Sequence, residues 1–222
     1  MRTTSDLIET LAADAKPIRR LRPPLLRAAL WLAGFLALAG IITLASGAWP
    51  KMILRLHDVR FAVEMAATLL TGMAAIMAAF YVCLPDRALS WRFLPLPFLA
   101  LWLASSGYEC YRNWIVLGPD RSLGMGESMH CFGFIVGISV PLAAALYFAM
   151  RRARPLNPLP VMAVGGLGVA ALAATLLQFY HPFDVTVMDL GLHLAAVTVV
   201  IAAMSGLGQW KLHPSPGYNS NV

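Results

Sequence analysis

Charged residues are scarce in this chain: they make up 13% of its 222 residues, whereas hydrophobic residues make up 59%. The mean hydropathy is +0.69. A soluble domain of this length carries far more charge on its surface, so the composition argues against that class. We therefore expect an all-α integral membrane protein.

Cysteines and catalytic motifs are also sparse. Three cysteines are too few for the disulfide framework of a small secreted domain. The sequence has no C-x-x-C, no H-E-x-x-H, no phosphate-binding loop, no nucleophile elbow and no pair of carboxylates at a catalytic spacing. We therefore expect neither an enzyme nor a resident cofactor.

Six apolar runs have the length or composition of membrane-spanning helices, which need about 20 mostly apolar residues. They are Leu26–Ala48, Phe61–Leu84, Phe93–Tyr108, Cys131–Met150, Leu159–Tyr180 and Leu190–Leu207. The third is the shortest, with Pro95 and Pro97 in its first turn. The chain is thus divided into a cytoplasmic segment at 1–24, a six-helix membrane domain at 25–207 and a cytoplasmic tail at 208–222.

Lysine and arginine in the predicted connections favour one orientation in the membrane. The N-terminal segment, the second and fourth connections and the tail hold 12 of them, and the other three connections hold 5. Since cytoplasmic loops carry the excess of basic residues, both termini are expected in the cytoplasm. The net charge of +6 follows from this distribution, so we expect no direct binding of nucleic acid.

Small residues at intervals of four predict where the spans pack against each other, because lipid provides no hydrophobic drive for helix association. Three spans carry such sets: Ala67, Thr71, Ala75 and Ala79; Gly133 and Gly137; and Gly166, Ala170 and Ala174.

The first 24 residues are polar and predict one short helix that ends before Pro17. Thr3, Thr4 and Ser5 are candidate N-caps. The helical period puts Leu7, Ile8 and Leu11 on one face, and the acidic side chains of Asp6, Glu9 and Asp14 lie mostly elsewhere. Such a helix is marginal alone, so it needs a partner groove, a membrane surface or the body of the same protein.

Thiol, imidazole and carboxylate side chains gather at the predicted outer face, and they include Cys110, His130, Cys131, His181, Asp184 and His193. One interpretation is a metal or redox site, since thiolate and imidazole are ligands of soft and borderline metals. The alternative is a set of interfacial histidines with a small buried cysteine. A disulfide between Cys110 and Cys131 requires Cα atoms within about 7 Å.

Short motifs occur in a fixed order along the chain. The first part has Thr4-Ser5-Asp6-Leu7-Ile8, then Leu11-Ala12-Ala13-Asp14 and Leu21-Arg22-Pro23-Pro24. The second part has Cys131, Ser139-Val140-Pro141-Leu142, Arg151-Arg152-Ala153-Arg154-Pro155, three glycines at 165, 166 and 168, and Tyr180-His181. In these motifs and their spacing the sequence resembles the NrsF-type membrane anti-sigma factors.

The resemblance implies a six-span bacterial inner-membrane protein whose cytoplasmic N-terminus holds an extracytoplasmic-function (ECF) sigma factor inactive. It also implies release of the sigma factor under oxidative or heavy-metal stress. The residues expected to contact the sigma factor are those of the predicted helix: Asp6, Leu7, Ile8, Glu9, Leu11 and Asp14.

In that family two outward cysteines are linked to sensing. Cys131 matches the first, but the second is expected beside His181, where this sequence has Pro182. Three alternatives follow: Cys110 is the redox partner of Cys131, the signal is something else, or a transient metal ion binds at the outer face. The residues for such an ion are His130, His181, Asp184 and His193.

Two competing functions use different features of the sequence. A small membrane transporter, or a haem- or quinone-binding redox protein, would use His130 and His193 as ligands. Alternatively, the N-terminal helix only lies on anionic lipid, for which the basic run from Lys16 to Arg27 is suitable and the acidic run before it is not.

Overall fold

The structure is a computed structural model that describes residues 3–15, 21–117, 125–180 and 187–212. These residues form eight α-helices and one 3₁₀ helix, with no strand among them. In chain order they are α1 (Thr4–Ala13), α2 (Pro24–Ala45), α3 (Trp49–Leu56), α4 (Val59–Val82), the 3₁₀ helix (Leu89–Phe93), α5 (Leu96–Leu117), α6 (Met125–Arg151), α7 (Pro158–Leu177) and α8 (Val187–Leu212).

Contacts between helix ends show that the long helices form an up-and-down bundle. Arg27, at the start of α2, donates to the backbone oxygen of Ala149 near the end of α6 and lies over the ring of Phe80 near the end of α4. A second contact joins residues 123 positions apart: Arg55 in α3 donates to the backbone oxygen of Gln178, just after α7. The bundle thus has an N-terminal end, where α2 begins, and an opposite end, where α3 lies.

Among the described residues, five helices are long and apolar enough to cross a membrane: α2, α4, α6, α7 and α8. They correspond to the first, second, fourth, fifth and sixth predicted spans, with ends that differ by a few residues. The third predicted span falls in α5, which begins at Leu96 and runs for 22 residues but is not among the five. Polar residues from its middle onward lower its hydropathy, and they are Ser105, Ser106, Glu109 and Arg112.

The helix α3 lies where a simple connection was predicted. The first predicted span was expected to reach Ala48, but α2 ends at Ala45, and Gly47 then adopts a positive φ of 66°. That left-handed conformation suits glycine and turns the chain into α3. Met52 is buried and anchors this helix. Eight residues are too few for sequence periodicity to reveal such a helix.

The central helix is α7, which is buried along most of its length between α4 and α8. A Cβ atom on Gly168 would lie 3.0 Å from the backbone nitrogen of Ile76 in α4. A Cβ on Gly166 would lie 3.0 Å from the Cα of Ile201 in α8. The lack of a side chain at these positions therefore lets three backbones approach closely.

The predicted packing residues have two different outcomes. Those on α4 and α7 are buried, as predicted: Ala67, Thr71, Ala75, Ala79, Gly166, Ala170 and Ala174. Gly133 and Gly137 on α6 are exposed, and a Cβ added to either would have no described atom within 4 Å. The prediction that they pack against another span of this chain is wrong, because α6 buries a different side.

Replacing Gly168 by alanine should destabilise the bundle, because the new methyl group meets the α4 backbone and the side chain of Ile76. We expect the free energy of unfolding to fall by about 1–3 kcal/mol. Thermal unfolding of the detergent-solubilised protein measures this. Gly137→Ala is the matched control and should leave the melting temperature unchanged or slightly raised. Equal melting temperatures for the two variants would contradict the close contact at Gly168.

Candidate functional site

The predicted N-terminal helix corresponds to α1, and local hydrogen bonds define its start. The N–H of Asp6 donates to Oγ1 of Thr3 at 3.2 Å, and the N–H of Thr3 donates to Oδ2 of Asp6 at 3.0 Å. This reciprocal pair is a capping box. The start of the helix is therefore defined by contacts within its own first turn.

Hydrogen bonds from Thr3 to the carboxylate lower the pKa of Asp6, chiefly the bond from the backbone N–H and then that from the side chain. A carboxyl with a depressed pKa in the folded helix contributes stability above its ordinary pKa. That contribution is lost as the pH falls through the lowered value. At neutral pH the cap is therefore fully formed.

The apolar side of α1 is uncovered. The exposed fraction is 50% for Leu7, 61% for Ile8 and 63% for Leu11, and α1 has no buried residue. The acidic side chains of Asp6, Glu9 and Asp14 are exposed as well. The helix thus presents three apolar and three acidic side chains to its surroundings.

A polar cavity of about 190 Å³ lies at the opposite end of the bundle, among α3, α4, α5, α7 and α8. Acidic and basic side chains both line it, together with one histidine. They are Arg55, Asp58, Arg60, Glu64, Glu109, Arg112, Asp189 and His193. An isolated charge is costly in a bilayer, and pairing with a charge of opposite sign at the same helix end reduces that cost.

Hydrogen bonds join the helices around this cavity. Oγ of Ser106 in α5 donates to Oε1 of Glu64 in α4 at 2.6 Å. Nε2 of Gln178 donates to Oγ1 of Thr68 in α4 at 3.2 Å, while its backbone oxygen accepts from Nη1 of Arg55 at 3.0 Å. Burial lowers the pKa of the Arg55 guanidinium. The side chains are thus held in place by neighbouring helices.

Three buried polar atoms at the cavity have no hydrogen-bond partner among the described residues: Oε1 of Glu109, Nη1 of Arg112 and Oε1 of Gln178. The nearest cation to Glu109 is Arg60, whose Nη1 lies 3.8 Å from the carboxylate oxygen. Buried donors and acceptors generally require a partner. This cavity therefore suits water or a small polar ligand that both donates and accepts hydrogen bonds.

Comparison with known families gives one decisive observation: a model of the NrsF family, described as negative regulator of sigma F, matches residues 11–213. The chain belongs to the NrsF family. Comparison with curated proteins and with solved structures gives no match. NrsF membership implies negative regulation of a sigma factor, and the family description names a regulatory role and no reaction.

In this NrsF-family chain, the two predicted sensor cysteines are both buried. Cys110 on α5 is 6% exposed and Cys131 on α6 is 5% exposed. All three cysteines of the chain lie within the described residues, and no disulfide joins any two of them. Cys131 packs in the apolar core, whereas α5, which carries Cys110, packs mainly on α4. All three are therefore thiols in this structure.

The predicted metal ligands lie in three different settings. His130 is exposed near the start of α6, and His193 lines the polar cavity, with Nδ1 2.7 Å from the backbone oxygen of Asp189. His181 and Asp184 lie outside the described residues. Within the described part of the NrsF-family chain, no three histidine, cysteine or acidic side chains form a group that could hold a metal ion.

The charge network of the cavity was not predicted from the sequence. Glu64, Glu109 and Asp189 all line the cavity, and Asp189 is only 2% exposed. The sequence does contain a pattern that could have indicated this network. Glu64 lies four residues after Arg60, and Glu109 lies three residues before Arg112. Intramembrane charges of opposite sign at such spacing indicate a functional site.

Removing the Ser106 hydroxyl should weaken the contact between α4 and α5. A hydrogen bond to a charged group contributes about 1.5–3 kcal/mol, so Ser106→Ala should lower the free energy of unfolding by roughly that amount. Ser105→Ala is the matched control, since Oγ of Ser105 donates only to the Trp102 backbone oxygen of its own helix. Denaturant unfolding in detergent compares the two variants, and equal losses would argue against a structural role of the bond between Ser106 and Glu64.

Proposed function

We propose that this chain is a membrane-bound anti-sigma factor that sequesters an ECF sigma factor through α1. The observation that supports this most is the uncovered apolar side of α1, with Leu7, Ile8 and Leu11 exposed. The family match begins at residue 11, so the assignment of the contact to α1 comes from its geometry and charge. An amphipathic helix of this kind binds in an apolar groove of its partner.

The acidic side chains of α1 suit such a partner. A sigma factor binds DNA and therefore carries a basic surface, which attracts Asp6, Glu9 and Asp14. Electrostatic attraction raises the association rate, and the apolar contacts then determine how long the complex lasts. A sigma factor held in this way cannot engage RNA polymerase.

We place the protein in the bacterial inner membrane with both termini cytoplasmic, which requires α5 to be a sixth crossing. The geometry supports this. The 3₁₀ helix before α5 stacks Trp91 on Tyr81 near the end of α4, whereas Ser106 in α5 reaches Glu64 near the start of α4. The helix thus runs along α4 between the two ends of the bundle. Its polar residues Ser106, Glu109, Arg112 and Asn113 line the cavity, so they need not face lipid.

The contact with the sigma factor is tested by the double substitution Leu7→Asp and Leu11→Asp. Apolar anchors in such interfaces contribute about 2 kcal/mol or more each, so we expect affinity to fall by about 700-fold or more. The full-length protein in detergent is used for pull-down from the source bacterium, with bound sigma factors identified by mass spectrometry. The same variant should make the sigma-dependent genes constitutively active.

Thr10→Asp with Ala13→Asp is the matched control, because it adds the same two charges on the other side of α1. This control should retain the sigma factor. Equal retention by both double variants would place the contact elsewhere, and capture of no sigma factor by the unmodified protein would contradict the proposal as a whole.

We further propose that the signal is an oxidant or a heavy metal acting at Cys131. Its thiol is buried in the core against neighbouring spans, so oxidation or metal ligation there adds volume and polarity to a closely packed site. Such a change in a packed core forces neighbouring side chains to move. The polar cavity at the same end of the bundle is the second element that we place in the sensing region.

The role of Cys131 is tested by Cys131→Ser in cells that report sigma activity. We expect this variant to lose induction by oxidants and metals while it still represses the sigma factor in unstressed cells. Cys83→Ser is the control, since Cys83 is also buried but lies at the N-terminal end, and it should respond normally. Unchanged induction in Cys131→Ser would show that this thiol is not the sensor.

A further inference from the structure

A second cavity lies at the N-terminal end of the bundle and has a different character. Its volume is about 990 Å³, and it is bounded by α2, the ends of α4 and α6, and the segment that precedes α2. Its ten lining residues include four arginines and no acidic residue: Arg22, Arg27, Arg151 and Arg152 are the arginines. Among the described residues, this concentration of positive charge has no compensating carboxylate in the cavity.

Two buried donors at this cavity have no acceptor among the described residues. Arg27 donates from Nη2 to the Ala149 backbone oxygen at 2.6 Å, but its Nη1 is buried without a partner. Nε1 of Trp31, one helical turn further along α2, is also buried without a partner. Buried N–H groups in this state favour an anionic acceptor, since charge-assisted hydrogen bonds are the strongest.

The position of the cavity indicates where that acceptor comes from. Arg27 lies in the first turn of α2 and Arg151 is the last residue of α6, so the cavity is at the level where these spans leave the hydrocarbon. Phospholipid headgroups lie at this level. Leu30, Trp31 and Phe148 form the apolar part of its wall and suit the upper part of an acyl chain. Tryptophan is typical of this boundary.

We propose that this cavity binds the phosphate of an anionic phospholipid headgroup. Arg22, Arg27, Arg151 and Arg152 supply the countercharges, and Nη1 of Arg27 and Nε1 of Trp31 donate to the phosphate oxygens. Basic pockets between membrane helices bind lipid headgroups in this way. Because Arg22 belongs to the connection between α1 and α2, the bound headgroup fixes the point from which α1 projects. The proposal does not depend on sigma-factor binding.

The test uses delipidated full-length protein in detergent and native mass spectrometry with phosphatidylglycerol or phosphatidylcholine of identical acyl chains. We expect phosphatidylglycerol to bind at least about tenfold more tightly, because the quaternary ammonium of phosphatidylcholine cancels the phosphate charge and is repelled by the arginines. Arg27→Gln should remove most of this preference. Arg152→Gln, at an exposed position, should weaken phosphatidylglycerol binding about fivefold without affecting the fold, so the test does not depend on the stability of the Arg27 variant.

Arg92→Gln is the matched control, because Arg92 lies in the 3₁₀ helix, which follows α4 at the same end, and does not line the cavity. It should bind phosphatidylglycerol normally. Equal binding of the two lipids, or equal losses in Arg92→Gln and Arg152→Gln, would overturn the proposal. Inorganic phosphate is added as a competitor, and displacement of the lipid at equal concentrations would show that free phosphate is the ligand.

Discussion

The close approach of α7 to α4 and α8 is the contact on which the rest of the structure depends. Lipid solvates apolar side chains as well as protein does, so only close backbone packing and polar contacts hold the helices together. Gly168 and Gly166 allow that packing on the two sides of α7. With α7 held in the centre, Gln178 at its end is placed where it contacts Thr68 of α4 and Arg55 of α3, and the polar cavity forms around this point.

The charged residues lie at two ends of the bundle with different chemistry, because unpaired charge buried among apolar helices is costly. The opposite end holds acidic and basic side chains around a small cavity, and the N-terminal end holds arginines without described acidic neighbours around a larger one. The first arrangement suits a ligand with no net charge, and the second suits an anion. The helix α1 contributes to neither cavity, and the capping box that defines its start lies within its own first turn.

The sequence predicted contacts between residues that are close along the chain better than contacts between residues that are far apart. The start of α1 depends on Thr3 and Asp6, three residues apart, and such a local contact is readable from sequence. The Gly133 and Gly137 pair has the same spacing as residues that do pack, yet it is exposed. Spacing alone does not say which side of a helix meets a neighbour. For the same reason the positions of Cys110 and Cys131 along the chain left open whether their thiols are accessible or buried.

The sequence by itself determined that the chain is helical, which runs are apolar, and which connections are basic. These features follow from the thickness of the bilayer and the cost of charge within it, which act on each segment separately. Only the tertiary structure decided that Ser106 meets Glu64, 42 residues away, and that Arg55 meets Gln178, 123 residues away. It also brought together the arginines at the start of α2 and the end of α6. Such contacts depend on how each helix is rotated against its neighbours, and close packing between whole helices sets that rotation.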